Sequence, residues 1–366
     1  MAADDLNKPL GLGSPKASRG RRRPYALAGL AVLVVASAAG AWLVLPLVGG
    51  PTATAVIDGA DGVSDRTGAI LAAPPLSEVE PSGELTELNQ IVIHGLPNAP
   101  MQLAALPDSN LVEDSPDGPL PRIAPDGTRP LDAYARPDRA EARDTRIAIV
   151  IGGIGIDPAG TQNAIATLPG EVTLAFAPYG DNLEATLAAA RGGGHEILLQ
   201  VPLEPFNYPR TDPGPNTLTA DAGVDENISR LNWFMSRTTN YVGVVNYMGA
   251  RFTGEPQAMA PIMAEIGQRG LLYLDDGSSA RSIAETAAAG VAPFVRADLI
   301  LDADLSTAAI DARLRQLQAI AKQRGYAVAT GTAFPMTVER VAAFVRAAAD
   351  RGIAIVPISA LVAGRT

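Results

Sequence analysis

The residues on which chemistry could be built stand at the ends of short apolar runs. They are the acidic pair Asp275 and Asp276 in "LLYLDDGSSARS", Glu204 in "LLQVPLEP", and the glycine pair Gly152 and Gly153 in "RIAIVIGGIGIDPAG". Carboxylates so placed can act as a base or hold a hard cation through oxygen ligands. Zinc chemistry demands more: three protein ligands from His, Asp, Glu or Cys, plus an open position. The chain has no cysteine and only two histidines, His94 and His195. His195 begins its apolar run rather than ending it, which reads as structural, and His94 lies in a proline-rich stretch. Neighbouring residues on a strand face opposite ways, so Asp275 and Asp276 cannot both serve one site while the strand lasts. One of them is expected to cap the turn or helix that follows. The glycines do not make a nucleotide site. A dinucleotide fingerprint starting at Gly153 and Gly155 would need glycine where Pro158 stands, and no Gly-Lys-Ser/Thr ending is present.

Regular elements must position these residues. From Arg146 onward, apolar runs alternate with amphipathic stretches. The runs are "RIAIVIGG", "VTLAFAPY", "HEILLQVPL", "VGVVNYM", "LLYLDDG", "FVRADLILD", "AVATGTA" and "IAIVPIS". Helices are expected between most of them, at Ala159 to Leu168, Leu183 to Arg191, Pro256 to Arg269, Thr307 to Arg324 and Thr337 to Arg351. Repeated βα units with apolar strands imply a parallel sheet covered on both faces. Seven or eight units in this length predict an α/β fold, a closed or nearly closed (β/α) barrel; a doubly wound open sheet is the competing arrangement. In either, sites gather at the carboxyl ends of strands. Those ends carry Gly152 and Gly153, then Tyr179, then Gln200 and Glu204. Asn246, Tyr247 and the nearby Arg251 follow, then Asp275 and Asp276, then Asp302, and finally Thr332 and Phe334. Ring faces beside polar groups suit the C–H face and hydroxyl edge of a sugar, so Tyr179, Gln200, Asn246, Tyr247, Arg251 and Phe334 are the candidate binding residues.

The chain has 366 residues, 47% of them apolar, and a formal net charge of −10. That charge argues against nucleic acid as a partner. Residues 25–48 form an uncharged apolar run long enough to span a bilayer, preceded by a basic tail (1–24) with Lys16, Arg19, Arg21, Arg22 and Arg23. The expectation is a single-pass inner-membrane anchor with the C-terminal domain in the periplasm; a cleaved leader ending near "ASA" at Ala36 to Ala38 is the alternative. Residues 49–144 hold roughly a dozen prolines and little apolar periodicity, which predicts a largely disordered spacer before a domain at 145–366.

Several stretches taken in order carry a family resemblance: "IAIVIGGIG", "LPGEVTLAFAPYG", "GHEILLQVPLEP", "DPGPNTL", "VGVVNYMGARFT" and "GLLYLDDGSSARS". From Arg146 to its end the chain resembles the divergent polysaccharide deacetylases, distant relatives of the carbohydrate esterases. The resemblance implies a distorted (β/α) barrel and a connection to glycans. It also exposes departures. Typical members end the first strand in two aspartates, where this chain has Gly152 and Gly153. Their histidines fall where Gln200, Tyr247 and Thr332 stand. The metal-site positions are thus degenerate, and no resident cofactor or metal is expected. Three functional readings follow. The first is an anchored protein that binds or remodels a cell-envelope glycan without the standard metal chemistry. The second is an active N-deacetylase with a rebuilt site, in which Asp275, Asp276 or Glu204 binds a divalent cation or acts as base. The third is a non-catalytic envelope scaffold. The oligomeric state is not legible.

Overall fold

The computed structural model describes residues 101–141, 144–180 and 182–362. The basic tail, the expected anchor at 25–48, the spacer up to residue 100 and His94 lie outside the described residues. Among those described, no helix is long and apolar enough to cross a membrane.

In chain order the strands are β1 (Val112–Glu113), β2 (Leu120–Pro121), β3 (Thr145–Ile154), β4 (Thr173–Phe176), β5 (Ile197–Leu203), β6 (Gly243–Met248), β7 (Leu272–Asp275), β8 (Phe294–Arg296), β9 (Leu299–Ile300), β10 (Tyr326–Thr332) and β11 (Ile353–Ile355). The helices are α1 (Pro130–Ala133), α2 (Pro158–Thr167), α3 (Leu183–Gly192), α4 (Val224–Met235), α5 (Pro256–Gln268), α6 (Ala284–Ala288), α7 (Thr307–Arg324) and α8 (Pro335–Arg346). Helix starts follow local chemistry. Asp157 and Ser306 accept from backbone N–H groups in the first turns of α2 and α7, and proline opens α2, α5 and α8. α7 stops at Gly325, which takes the left-handed conformation at φ 88°.

β3 to β10 form one parallel sheet in the order β8-β7-β6-β5-β4-β3-β10-β9, with β11 also pairing to β3. The two ends of this order are consecutive in the chain. Only Ala297 and Asp298 separate β8 from β9; Ala297 N–H donates to Asp275 O and Asp298 N–H to Val328 O. One segment therefore bonds to β7 on one side and to β10 on the other, and the sheet curls into a distorted barrel rather than lying open. The single run "FVRADLILD" is split here into two short strands, which is where the barrel is irregular.

Two apolar clusters divide by strand face, as a pleat requires. Ile147, Ile149, Ile151, Leu174, Phe176, Leu199 and Val244 pack outward against the helices. Ala148, Val150, Ala175, Leu198, Leu272, Leu274 and Val328 belong to a second cluster that also contains Leu111, Leu131 and Tyr134.

That second cluster corrects the expected spacer, which does not run unstructured to Asp144. Residues 101–141 carry the β1–β2 hairpin and α1, and they pack on the barrel. Arg191 donates to the carbonyls of Ala104 and Tyr134, while Arg136 donates to Gly194 O and pairs with Glu171 at 2.7 Å. Proline here sets turns and the first residue of α1 instead of preventing order, and a few large apolar residues, Leu111, Leu131 and Tyr134, supply the burial.

Candidate ligand cleft at the strand ends

A cleft of about 410 Å³ opens at the carboxyl ends of the parallel strands. Its floor is made by Gly152 and Gly153, Gln200, Thr330 to Thr332 and Asp302, and its rim by Ile156, Tyr247 and Phe334.

The glycine pair forms a bulge. Val150 and Ile151 of β3 register with Thr173 and Leu174 of β4, then the register jumps to Ile154 with Phe176, so Gly152 and Gly153 together face one residue of β4. Gly153 has φ 77°, a conformation that a side chain strains. Gly152 is needed for space. A Cβ there would meet Gln200 Nε2 at 2.8 Å, and one at Gly153 would meet Thr332 Cγ2 at 3.3 Å. Gln200 Oε1 accepts from Gly153 N–H at 2.7 Å. The volume that an acidic side chain would take at Gly152 is thus filled by a neutral amide.

Asp276 lines the cleft. Its carboxylate accepts from Ser278 N–H at 2.8 Å, and its own N–H donates to Asn246 Oδ1 at 2.9 Å. Burial pushes its pKa above the usual carboxylate value, against the lowering effect of hydrogen bonds from Ser278 and Asn246. Asp275 is turned away from the cleft and accepts from Ser282 Oγ at 2.5 Å and Gly277 N–H at 2.9 Å. The strand alternation holds: both carboxylates bond the following turn, but Asp275 does so facing away from the cleft.

Glu204 and Arg251 are not at the cleft. Glu204 is buried; it accepts from Ala220 N–H at 2.7 Å and pairs with Arg251. Arg251 also forks onto both oxygens of Asp221 at 2.8 Å, and these two carboxylates hold its pKa above the ordinary value. The three residues brace the loops after β5 and β6. Sequence order places them beside strand ends but cannot show that they satisfy one another.

Tyr179 and Asn246 line the cleft with their polar atoms already engaged. Tyr179 Oη donates to Pro215 O at 2.6 Å, fixing the loop of "DPGPNTL" against the cleft, and its ring meets Phe234 edge-on at 6.0 Å. Asn246 Nδ2 donates to Met248 O at 2.7 Å, across a turn in which Met248 takes φ 59°. Gln200, Tyr247 and Phe334 keep groups free to meet a ligand. Tyr247 is 39% and Phe334 44% exposed.

Asp302 is the residue the sequence reading left out of its candidate set. It is 9% exposed and lines the cleft. Its Oδ2 accepts from Thr332 N–H at 2.6 Å and Thr337 Oγ1 at 3.0 Å, and its Oδ1 has no hydrogen-bond partner among the described residues. An acid closing an apolar run was the available signal. His195 sits away from the cleft, fully buried, with Nδ1 2.8 Å from Val172 O; burial lowers its pKa.

The cleft does not fit the metal that the family resemblance implies. Among the described residues no three His, Asp or Glu side chains converge as a metal group. Gln200 fills the space beside Gly152, and its Nε2 is a hydrogen-bond donor, which cannot ligate a cation.

These features define a class: an α/β protein with a curled parallel sheet and a neutral-to-acidic cleft at its strand ends. The profile of the family described as divergent polysaccharide deacetylase matches residues 149–362, and the chain belongs to that family. It is 25% identical over 194 residues to the uncharacterized protein YibQ of Escherichia coli (strain K12) and 26% identical over 196 residues to an uncharacterized protein of Haemophilus influenzae. These matches take 53% of this chain and span 60% and 69% of those proteins. The crystal structure of the uncharacterized protein ATU2773 from Agrobacterium tumefaciens C58 superposes with a TM-score of 0.66 at 48% identity, over 67% of this chain and all of that one.

Proposed function

We propose that the protein is anchored in the inner membrane by residues 25–48 and holds a cell-envelope glycan in the strand-end cleft, without the metal-dependent hydrolysis typical of polysaccharide deacetylases. The observation that carries this reading is the cleft itself. Family membership supplies the glycan connection, the rim presents Tyr247 and Phe334 to solvent, and Gln200 puts an amide where the resemblance implies a metal ligand. Exposed rings beside a polar floor suit stacking on a sugar face with hydrogen bonds to its edge.

The test is co-sedimentation of the full-length protein with isolated cell-wall polymer. Tyr247→Ala and Phe334→Ala should each weaken binding while leaving the melting temperature unchanged. Full binding by the double variant would remove the cleft from the account and favour a scaffold that meets envelope proteins over another surface. A reporter fused after Thr366 tests the anchor; activity of that reporter only in the cytoplasm would overturn the proposed orientation.

One observation favours a second reading. Asp276 is a cleft carboxylate with a raised pKa, as a general acid or base requires. Release of acetate from an acetylated glycan, abolished by Asp276→Asn, would establish an active enzyme with a rebuilt site.

A further inference from the structure

The charge lining the cleft narrows what can occupy it. Among the described residues, the side chains around it include two carboxylates, Asp276 and Asp302, and no lysine, arginine or histidine. The arginines that follow nearby strands are engaged elsewhere. Arg251 pairs with Glu204 and Asp221, Arg281 lies 5.5 Å over the Phe206 ring, and Arg296 donates to Ser279 O at 2.9 Å. Asp302 is nine-tenths buried and presents Oδ1 without a partner among the described residues, while Asp276, held by Ser278 and Asn246, lines the same cleft. Two acids sharing a partly desolvated cleft with no counter-charge disfavour an anionic guest and favour a cationic one.

Resting on the glycan reading above, we propose that the cleft recognises an amino sugar whose nitrogen carries no acyl group, its ammonium held by the carboxylates of Asp276 and Asp302. The Gln200 amide, whose Nε2 is not used inside the protein, donates to a ring hydroxyl. Tyr247 and Phe334 give the ring a face to stack on, which a flexible lysine chain would not use. A uronic acid or a phosphorylated sugar is repelled, and an N-acetyl group brings no charge to meet the acids.

The experiment is calorimetric titration of the full-length protein with three probes, at a pH where the sugar amine is protonated. They are a β-1,4 glucosamine tetramer, the N-acetylglucosamine tetramer and trilysine. The glucosamine tetramer should bind at least about 10-fold more tightly than the other two. Asp276→Asn and Asp302→Asn should each weaken it by about 10- to 100-fold, the range of a lost charge-assisted hydrogen bond, and change the acetylated tetramer little. Asparagine keeps an oxygen for the Ser278 N–H or the Thr332 N–H, and a thermal melt of each variant checks folding. Equal or tighter binding of the acetylated tetramer overturns the ammonium proposal and leaves the glycan reading standing. Trilysine binding as tightly as the glucosamine tetramer overturns the choice of a sugar. Glucosamine-tetramer binding that neither Asp variant weakens assigns it to the acidic surface and also overturns the proposal. Binding of neither tetramer refutes the glycan reading, and this inference with it.

Discussion

Gly152 and Gln200 share one space, and a double-mutant cycle measures that sharing. A methyl group at Gly152 would come within 2.8 Å of Gln200 Nε2 and 3.2 Å of its Cδ. Gly152 does not have a positive φ, so its backbone accepts alanine without strain. The amide must then swing aside, and Gly153 N–H loses the acceptor now at 2.7 Å. Stripping a part-buried N–H of its partner costs about 1–3 kcal/mol. Gln200→Ala removes the same bond directly and should cost a similar amount. In Gly152→Ala/Gln200→Ala the clash is gone and the bond is lost only once. The double variant should therefore lose about 1–3 kcal/mol less stability than the two single losses added together. Urea unfolding with a shared m-value gives the free energies, and each single should melt about 2–12 °C lower for a domain of this size. Independent sites add to within about 0.5 kcal/mol. Additivity at that level would refute the claim that Gln200 occupies the space a side chain at Gly152 would take.

Three further outcomes are expected. Asp276 has a folded-state pKa above its unfolded value, so its contribution is fully present below about pH 3.8 and is lost as pH rises through the folded pKa; Asp276→Asn should raise the melting temperature near neutral pH, an advantage that fades as the buffer approaches pH 4, and no gain at neutral pH would contradict the burial assigned to it. Arg251→Ala should lower the melting temperature and leave glycan affinity of the folded fraction intact, because it strands Glu204 and opens the brace to Asp221; lost affinity at an unchanged melting temperature would return Arg251 to the site. Leu131→Ala should cost about 2–5 kcal/mol in denaturant unfolding, as a fully buried leucine of the second core cluster does; a loss below about 0.5 kcal/mol would mean that residues 101–141 are not part of the folded unit.

The βα alternation was legible because its signal is local. Each strand is a short run of Ile, Val, Leu and Ala, and helices such as α7 (Thr307–Arg324) end where Gly325 must take a positive φ. α4 (Val224–Met235) went unassigned, since "VDENISRLNWFM" has three polar residues directly after Val224 and no side-chain cap. Order in residues 101–141 was hidden for a related reason. It comes from Leu111, Leu131 and Tyr134 reaching residues more than a hundred positions away, such as Leu272 and Val328, and no window of the sequence contains both sides of that contact.

At the site, sequence reading identified positions better than roles. Gln200, Asp276, Tyr247 and Phe334 stand where strand ends put them. Glu204, Asp275 and Arg251 stand equally close along the chain, yet their charges and hydrogen bonds are satisfied by Arg251, Ser282 and Asp221, partners that only the fold brings near. Asp302 is the converse: its only mark in the sequence is that it closes an apolar run, and its one free oxygen becomes meaningful only because β9 and β10 place it at the same cleft as Asp276. The positions where the resemblance places metal ligands also read differently once packed. Gly152 leaves room for Gln200, Gln200 holds Gly153, a Cβ at Gly153 would come within 3.3 Å of Thr332 Cγ2, and Thr332 N–H bonds Asp302. Four of the five positions thus form one contact chain. An aspartate placed at Gly152 alone would collide with Gln200, so building a metal site there would require changing neighbours together.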